Sequence, residues 1–334
     1  MAPFGSAEFF EELRVAEEKA KGRPAVMDGT LGAAIELYKS HHRWTQLAPR
    51  TRSDYEKILA YLEPLGRMPL ATIDSAFIAG LRDKTYAKKK RTFANRVIVV
   101  LSVVLAGAAE RGKIKQNPAK GVRLIPRIKG APKVNRAWKP HEREAVMAAA
   151  TPELRLPIAL AMFAGLREGD VMVLPRNAVQ DGWLVARTNK ADVEVAWPLH
   201  SELARIIDET TEVFRQRREA RAKKGEPAPE PMTLCVTSRG TPWTANGFRA
   251  SFFKMIGKLK DEGKVGSGLT FHGLRHTVGA LLKEDGASDE DIAIALGQKT
   301  VTMARHYSAE ANKRTRMTAA TLKFDPLKRS KPGP

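Results

Sequence analysis

The sequence predicts a two-domain, mainly helical protein of the α+β class, with a small antiparallel sheet in its C-terminal domain. The chain has 334 residues, which exceeds the usual length of one domain. Apolar residues recur at helical spacing over most of it. Apolar and polar residues alternate at 183–187 and 193–197, which predicts a β-hairpin.

The first part of the chain is predicted to form a compact helical module over residues 29–118. The N-terminal extension, residues 1–28, holds six acidic and four basic residues, so we do not expect it to be a DNA-binding arm. Four helices are expected: one capped by Thr30, one that starts at Thr51, one capped by Asp74, and one from about Lys89 to Glu110.

A strongly basic segment separates the two predicted domains, with residues 119–137 as the linker. Residues 111–136 carry nine basic residues and no acidic one, and prolines and a glycine interrupt them. Charges of one sign keep a linker extended unless an anion neutralises them. A flexible solvated tether is the alternative; we favour a strap along a phosphate backbone. The candidate phosphate contacts in this segment are Lys120, Arg123, Arg127 and Lys129. Further candidates are Lys88, Lys89, Lys90 and Arg91, and for these four a solvated helix face is the alternative.

The C-terminal domain is predicted over residues 138–325, followed by a basic tail at 326–334. The expected elements, in order, are helices at 140–149 and 152–164, the hairpin, a charged helix after Pro198, a short strand at 234–237, and helices at about 244–261, 272–284, 288–296, 300–307 and 311–322.

The charge of the chain indicates a polyanionic partner. Its 57 Lys and Arg against 37 Asp and Glu give a formal net charge of +20. Neutralising each phosphate releases counterions, which favours binding to nucleic acid. A basic surface for solubility or a peripheral membrane protein are the alternatives.

One cysteine, Cys235, excludes an internal disulfide. We expect a cytoplasmic protein without a signal peptide, in which the apolar residues 97–109, too few to span a membrane, form a buried helix.

Three fragments carry residues suited to phosphate chemistry, although each has an ordinary interpretation when taken alone. Arg167 follows an apolar helix and a glycine, which is also typical of a surface arginine at a helix end. His272 and Arg275 are three residues apart, so on a helix they share one face and can reach one small anion. Tyr307 could be an ordinary amphipathic aromatic residue.

Taken together and in this order, the fragments resemble the tyrosine recombinase (phage integrase) family. The resemblance extends over roughly residues 30–325 and is sharpest at 163–175, 271–277 and 295–308. The first arginine of the family falls on Arg167, with Asp170 where an acid is expected, and its H-x-x-R motif falls on His272 and Arg275. Its C-terminal motif falls on Leu296, Gly297, Gln298 and Tyr307, and its hairpin lysine on Lys190.

Two positions depart from the pattern of the family. Gln298 stands where a histidine is most frequent, and no glycine follows Lys190. Lys190 could therefore be a solvated turn residue. The Gln298 amide still donates hydrogen bonds but does not titrate near neutral pH. We interpret it as a hydrogen-bond donor to phosphate oxygen in place of the histidine.

The resemblance implies a helical core-binding domain, a mainly helical catalytic domain, and cleavage of DNA through a covalent bond between Tyr307 and a 3′-phosphate. Arg167 and Arg275 would neutralise the phosphate, a role that contributes on the order of 10³–10⁵ in rate in other phosphoryl-transfer enzymes. His272 would act as acid or base, and Lys190 would protonate the leaving 5′-oxygen. No metal, ATP or other cofactor is expected.

The implied partners are double-stranded DNA attachment sites and three further copies of the chain in a synaptic tetramer. A directionality factor or a host DNA-bending factor is a further candidate partner, and no membrane is expected. The protein would act at the bacterial nucleoid or in a phage-infected cell. Two alternatives remain open: a DNA-binding protein that has lost catalysis, for which Gln298 is the sole indication, and a relaxing enzyme of the type IB topoisomerase kind.

Overall fold

The computed structural model describes residues 27–130, 134–190, 192–226, 229–298 and 300–302. The chain divides into two compact units, one that ends at Ala131 and one that begins at Pro132. Each unit has a hydrophobic core of its own. The predicted mainly helical class with a small antiparallel sheet is confirmed.

From residue 27 onward, where the structure describes it, the N-terminal unit contains four α-helices around one core. They are α1 (Leu31–Lys39), α2 (His42–Thr45), α3 (Pro49–Leu62) and α4 (Ser75–Glu110). Thr30 caps α1, because its side chain accepts a hydrogen bond from the Ala33 backbone N–H at 3.3 Å. The third helix begins at Pro49 and not at Thr51 as expected. Proline suits the first position of a helix because its missing N–H would have no intrahelical partner there.

Helix α4 is bent at Lys90, which has a φ of 64° inside the helix. The two helices predicted for this stretch are therefore the two arms of one kinked helix. Asp74 caps the first arm by accepting from the Phe77 N–H at 2.7 Å. By length and composition alone α4 could cross a membrane. Its second arm instead forms the centre of the N-terminal core, as predicted for residues 97–109, with Val97, Leu101, Val104 and Leu105 fully buried.

The first part of the basic segment packs against α4. Asn95 accepts a hydrogen bond from the Ile125 N–H and donates one to the Ile125 carbonyl oxygen, each at 2.9 Å. Asn117 donates to the Ser102 carbonyl oxygen at 2.9 Å, and Ala119 is buried in the core. Of the linker that we expected over residues 119–137, the part up to residue 125 is therefore held on the first unit.

The C-terminal unit consists of seven helices, within the described residues, and the small sheet. The helices are α5 (Pro140–Ala149), α6 (Pro152–Ala164), α7 (Glu168–Met172), α8 (Ser201–Lys223), α9 (Ala245–Asp261), α10 (Phe271–Glu284) and α11 (Asp289–Ala295). Helix α6 lies at the centre, and most of its residues are buried. The predicted helices at these places are confirmed, whereas α2 and α7 were not foreseen.

The sheet has three antiparallel strands in the order β1 (Val179–Gln180), β2 (Trp183–Thr188) and β3 (Val193–Pro198). Strands β2 and β3 form the predicted hairpin, with Thr188 opposite Val193 next to the turn. The strand expected at 234–237 is wrong. Its apolar side chains are buried in the core, but its backbone forms only isolated bridges within the described residues, Thr233 with Pro175 and Val236 with Pro242.

The predictions for residues 1–26, for most of the helix at 300–307, for the helix at 311–322 and for the basic tail lie outside the described residues.

Candidate active site

The loop between α6 and α7 presents Arg167. Helix α6 ends at Ala164, and its C-cap Gly165 has a φ of 61°, a conformation that favours glycine. A Cβ atom on Gly165 would lie 2.5 Å from Cδ2 of Leu296, so the loop and the Leu296 side chain are in close contact. Arg167 then stands at the N-cap of α7 with its side chain about one fifth exposed. The fold therefore holds this arginine on a fixed turn.

Asp170 connects this loop to the tip of the hairpin. Its carboxylate is buried, and Oδ1 accepts a hydrogen bond from the Asn189 backbone N–H at 2.8 Å. The Asn189 side chain donates to the Gly169 carbonyl oxygen at 3.3 Å. Oδ2 of Asp170 lies 3.8 Å from Nη1 of Arg167, a distance for an ion pair but too long for a hydrogen bond. Lys190, the next residue after Asn189, is exposed at the tip.

Helix α10 carries both His272 and Arg275, as predicted. The Arg275 side chain is buried, and its guanidinium joins two other parts of the unit. Nη1 donates to the Gly165 carbonyl oxygen at 2.8 Å, and Nη2 donates to the Leu296 carbonyl oxygen. Arg275 thereby joins the loop that leads to Arg167 to the turn that leads to Gln298.

His272 lies on the first turn of α10 and is half-buried. Its ring meets that of His276, one helical turn further, edge to face with the ring centroids 5.3 Å apart. His276 was not among the predicted site residues. The four-residue spacing of two histidines on a predicted helix was the signal that could have identified this pair.

The turn after α11 places Gln298 against the hairpin. Gly297 has a φ of 54°, and a Cβ atom there would lie 2.8 Å from Val195 Cγ1 and 3.2 Å from Thr188 Cγ2, so the turn is packed on the two strands. The side-chain oxygen and nitrogen of Gln298 are buried, and neither has a hydrogen-bond partner among the described residues. Burying such an amide costs free energy of folding unless a ligand or another part of the chain forms hydrogen bonds with it.

The structure thus brings together the segments of five predicted site residues: Arg167, Lys190, His272, Arg275 and Gln298. Tyr307 lies outside the described residues, and its place in the site stays a prediction. The sequence predicts an acidic residue at Asp170 but not its bond to the hairpin, which depends on contacts between residues far apart in the chain.

The candidate DNA contacts belong to the N-terminal unit and are mostly exposed. Lys89, Lys90 and Arg91 line an open concavity of about 490 Å³ at the bend of α4, together with Thr92, Phe93 and Arg96. Lys88 is exposed beside it, and in the basic segment Lys120, Arg123, Arg127 and Lys129 are all exposed.

Comparisons with known proteins identify integrases as relatives of this chain. The phage integrase family model matches residues 137–314, more than half of the chain. The integrase of Escherichia phage HK022 is 26% identical over 301 residues, covering 87% of this chain and 78% of that protein. The integrase of Escherichia phage lambda is also 26% identical, over 334 residues, with 89% of each chain covered.

Solved structures of integrases share the fold. A lambda integrase dimer bound to a COC′ core site superposes with a TM-score of 0.67 at 22% identity, over 84% of this chain and 95% of that one. The Tn1549 transposon integrase in complex with transposon right end DNA gives a TM-score of 0.67 at 17% identity, over 86% and 99%. A lambda integrase tetramer bound to a Holliday junction gives 0.66 at 20% identity, over 92% and 88%. From the match of the family model and the arrangement of the site, the chain belongs to the phage integrase family.

Proposed function

We propose that this member of the phage integrase family is a site-specific DNA recombinase that cleaves and rejoins DNA through a 3′-phosphotyrosyl bond at Tyr307. The observation that supports this most directly is the network around Arg275. Its guanidinium bonds to the loop before Arg167 and to the turn before Gln298, and Asp170 holds the hairpin tip with Lys190 beside that loop.

The two arginines are proposed to neutralise one phosphodiester. In-line attack spreads negative charge over the non-bridging oxygens, and planar guanidiniums bind such oxygens in pairs. The two bonds from Arg275 to the carbonyl oxygens of Gly165 and Leu296 fix the orientation of its guanidinium plane. Gln298, whose amide atoms are buried, would donate a further hydrogen bond to the same phosphate.

Proton transfer is assigned to His272 and Lys190. Tyrosine has an ordinary pKa of about 10, so the Tyr307 hydroxyl must lose its proton to a base as it attacks phosphorus. His272 is that base. The bond from phosphorus to the 5′-oxygen then breaks, and Lys190 gives the leaving oxygen its proton. Attack by a second strand's 5′-hydroxyl on the phosphotyrosine reverses these steps and needs no ATP.

Two basic surfaces are proposed to contact the DNA backbone. One is the concavity at the bend of α4, with Lys88, Lys89, Lys90 and Arg91. The other is the exposed set Lys120, Arg123, Arg127 and Lys129 in the basic segment. In this proposal residues 29–118 are a core-binding domain, 119–137 a linker and 138–325 the catalytic domain.

The assembly is proposed to be a tetramer that holds two attachment sites, as in the lambda integrase tetramer bound to a Holliday junction. Four nucleophiles are needed because each of the two duplexes has two strands to cut. The protein would act on DNA in the bacterial cytoplasm, at the nucleoid or in a phage-infected cell.

The test is a covalent-trapping experiment on nicked duplexes that carry an attachment repeat, which is first sought by sequencing the DNA on both sides of the gene. The nick lets the short 5′ fragment diffuse away, so the cleaved complex accumulates and appears as a DNA-shifted band on a denaturing gel. We expect this band from the unchanged chain and none from Tyr307→Phe. A band that persists in Tyr307→Phe contradicts the assignment of the nucleophile. No band from either protein favours a DNA-binding protein without catalysis, and relaxation of plasmids lacking the repeat favours a topoisomerase.

A further inference from the structure

Residues 135–138, here named the latch, cross the N-terminal turn of α10. Asn135 has a φ of 63°, a conformation that asparagine tolerates better than most residues. Its Oδ1 accepts a hydrogen bond from the Thr270 hydroxyl at 2.6 Å. Thr270 is the N-cap of α10, and the same hydroxyl oxygen accepts from the Gly273 backbone N–H at 3.1 Å. Asn135 thus fixes the orientation of the group that caps the helix.

Trp138 holds the same turn from the other end of the latch. Its indole Nε1 donates to the Thr270 carbonyl oxygen at 3.0 Å, and its backbone N–H donates to the Thr277 hydroxyl at 2.8 Å. A Cβ atom on Gly273 would lie 2.5 Å from the carbonyl oxygen of Arg136 and 2.8 Å from Nε1 of Trp138. The latch therefore lies in direct contact with the turn between His272 and Arg275.

Arg136 anchors the latch to its surroundings. Its guanidinium forms a two-pronged ion pair with the buried carboxylate of Glu142, at 2.7 Å and 2.5 Å, and Nε donates to the Ser267 carbonyl oxygen at 2.9 Å. Glu142 also accepts from the backbone N–H groups of Lys139 and Gly266. These bonds leave the latch little freedom to slide along α10.

We propose that Asn135 is a positioning residue of the active site, which acts through Thr270 to hold the first turn of α10 where His272 and Arg275 meet the same phosphate. The inference rests on the proposed recombinase function, since it concerns the rate of DNA cleavage. Asn135 itself touches no reacting atom. Its contribution is the orientation of the cap, and a small displacement of a catalytic group has a large effect on rate.

The experiment compares three variants in single-turnover cleavage of the nicked duplex at saturating protein. Asn135→Gly keeps the positive φ and removes the acceptor, and Asn135→Asp keeps an acceptor oxygen. Asp181→Gly is the control, since it also puts glycine at an exposed turn residue with a positive φ, here 47°. We expect Asn135→Gly to cleave about two- to tenfold more slowly, the effect of one lost hydrogen bond. Asn135→Asp should restore most of the rate, and DNA affinity should not change in any variant.

Amide hydrogen exchange of residues 271–277 gives a second measurement that does not depend on activity. Exchange should be faster in Asn135→Gly than in the unchanged chain or in Asp181→Gly. The inference is overturned if Asn135→Gly cleaves at the normal rate, or if its defect is confined to DNA affinity. Unchanged exchange at the first turn overturns it as well. If the unchanged chain forms no covalent complex, the recombinase function fails, and the exchange data still decide whether Asn135 holds the turn.

Discussion

The buried carboxylate of Asp170 accepts a hydrogen bond from the backbone N–H of Asn189 at 2.8 Å. This bond joins the loop that carries Arg167 to the tip of the β-hairpin. The two residues belong to segments that carry different proposed roles, Arg167 on one side and Lys190 on the other. A single side chain thus connects the loop of a proposed phosphate-binding group, Arg167, to the hairpin tip of a proposed proton donor, Lys190.

Loss of the Asp170 carboxylate should slow cleavage. Asp170→Ala removes both the bond to Asn189 and the negative charge near Arg167, whereas Asp170→Asn keeps an acceptor oxygen. A hydrogen bond to a charged group is worth about 1.5–3 kcal/mol, so we expect Asp170→Ala to cleave roughly 10- to 100-fold more slowly, with Asp170→Asn in between. Single-turnover cleavage measures this, with the exposed Asp261→Ala as control. Equal rates in all four proteins would refute the role of Asp170.

A methyl group at Gly165 should destabilise the C-terminal unit. The φ of 61° and the 2.5 Å approach to Leu296 Cδ2 both oppose a side chain there, and together they should cost about 2–4 kcal/mol. Gly169→Ala, four residues away, is the matched control because a Cβ atom there meets nothing within 4 Å. Urea unfolding of both variants checks this. Similar midpoints for Gly165→Ala and Gly169→Ala would show that the contact with Leu296 is easily relaxed.

Gln298 should act as a hydrogen-bond donor and not as a proton carrier. Its amide is buried and has no partner among the described residues, so a phosphate oxygen is the natural acceptor. We expect Gln298→Ala to cleave roughly tenfold or more slowly, as for a lost bond to a charged group, and Gln298→His to retain activity. The rate of Gln298→His should depend on pH more steeply than that of the unchanged chain. If all three proteins are equally active, Gln298 has no part in catalysis.

Glu142 should contribute stability that disappears in acid. Burial alone would raise the pKa of its carboxyl, but hydrogen bonds from Arg136 and from the backbone N–H groups of Lys139 and Gly266 lower this pKa to about 2. An unfolded chain has the ordinary value near 4.5. The stabilisation, about 3 kcal/mol at most, is therefore complete above pH 4.5 and lost as the pH falls towards 2.

Urea unfolding between pH 6 and pH 3 tests this dependence. Glu142→Gln should be less stable than the unchanged chain at pH 6, and the difference should shrink towards pH 3. Glu144→Gln, on the exposed side of the same helix, should follow the unchanged chain at every pH. A difference that stays constant with pH would assign the effect of Glu142→Gln to packing and not to its charge.

The basic segment should set the salt dependence of DNA binding. Replacing Lys120, Arg123, Arg127 and Lys129 by alanine should lower the slope of log K against log salt by about 0.9 for each phosphate that the segment no longer neutralises. The control is Arg205→Ala with Arg215→Ala, since each of these arginines is already held between two glutamates on α8. An unchanged slope in the fourfold variant would exclude the segment as a DNA-binding surface.

Local signals in the sequence were sufficient to predict most of the helices and the hairpin. The caps at Thr30 and Asp74 and the alternation of the hairpin act over a few residues, so they can be read without knowing the rest of the structure. The wrong strand at 234–237 shows the limit of this approach. A short apolar run in the core satisfies the same pattern as a strand, and only the absence of a neighbouring strand distinguishes the two.

The site was predictable in its residue types and not in its connections. The spacing of His272 and Arg275 placed both on one helix, which the structure confirms. No spacing could show that Arg275 would bond to the carbonyl oxygens of Gly165 and Leu296, because these bonds arise from packing between distant segments. The latch at Asn135 was missed for the same reason, since residues 135–137 were interpreted as part of the linker.

The single cysteine of the chain makes the protein well suited to site-directed labelling. Cys235 is fully buried, and burial raises the pKa of its thiol well above the usual range, so it reacts poorly with maleimides. New cysteines at the exposed Tyr86 and Phe253, one in each unit, could therefore carry a donor and an acceptor fluorophore without removal of the native thiol. Energy transfer between the two dyes would report in real time whether the distance between the units changes when the protein binds a duplex.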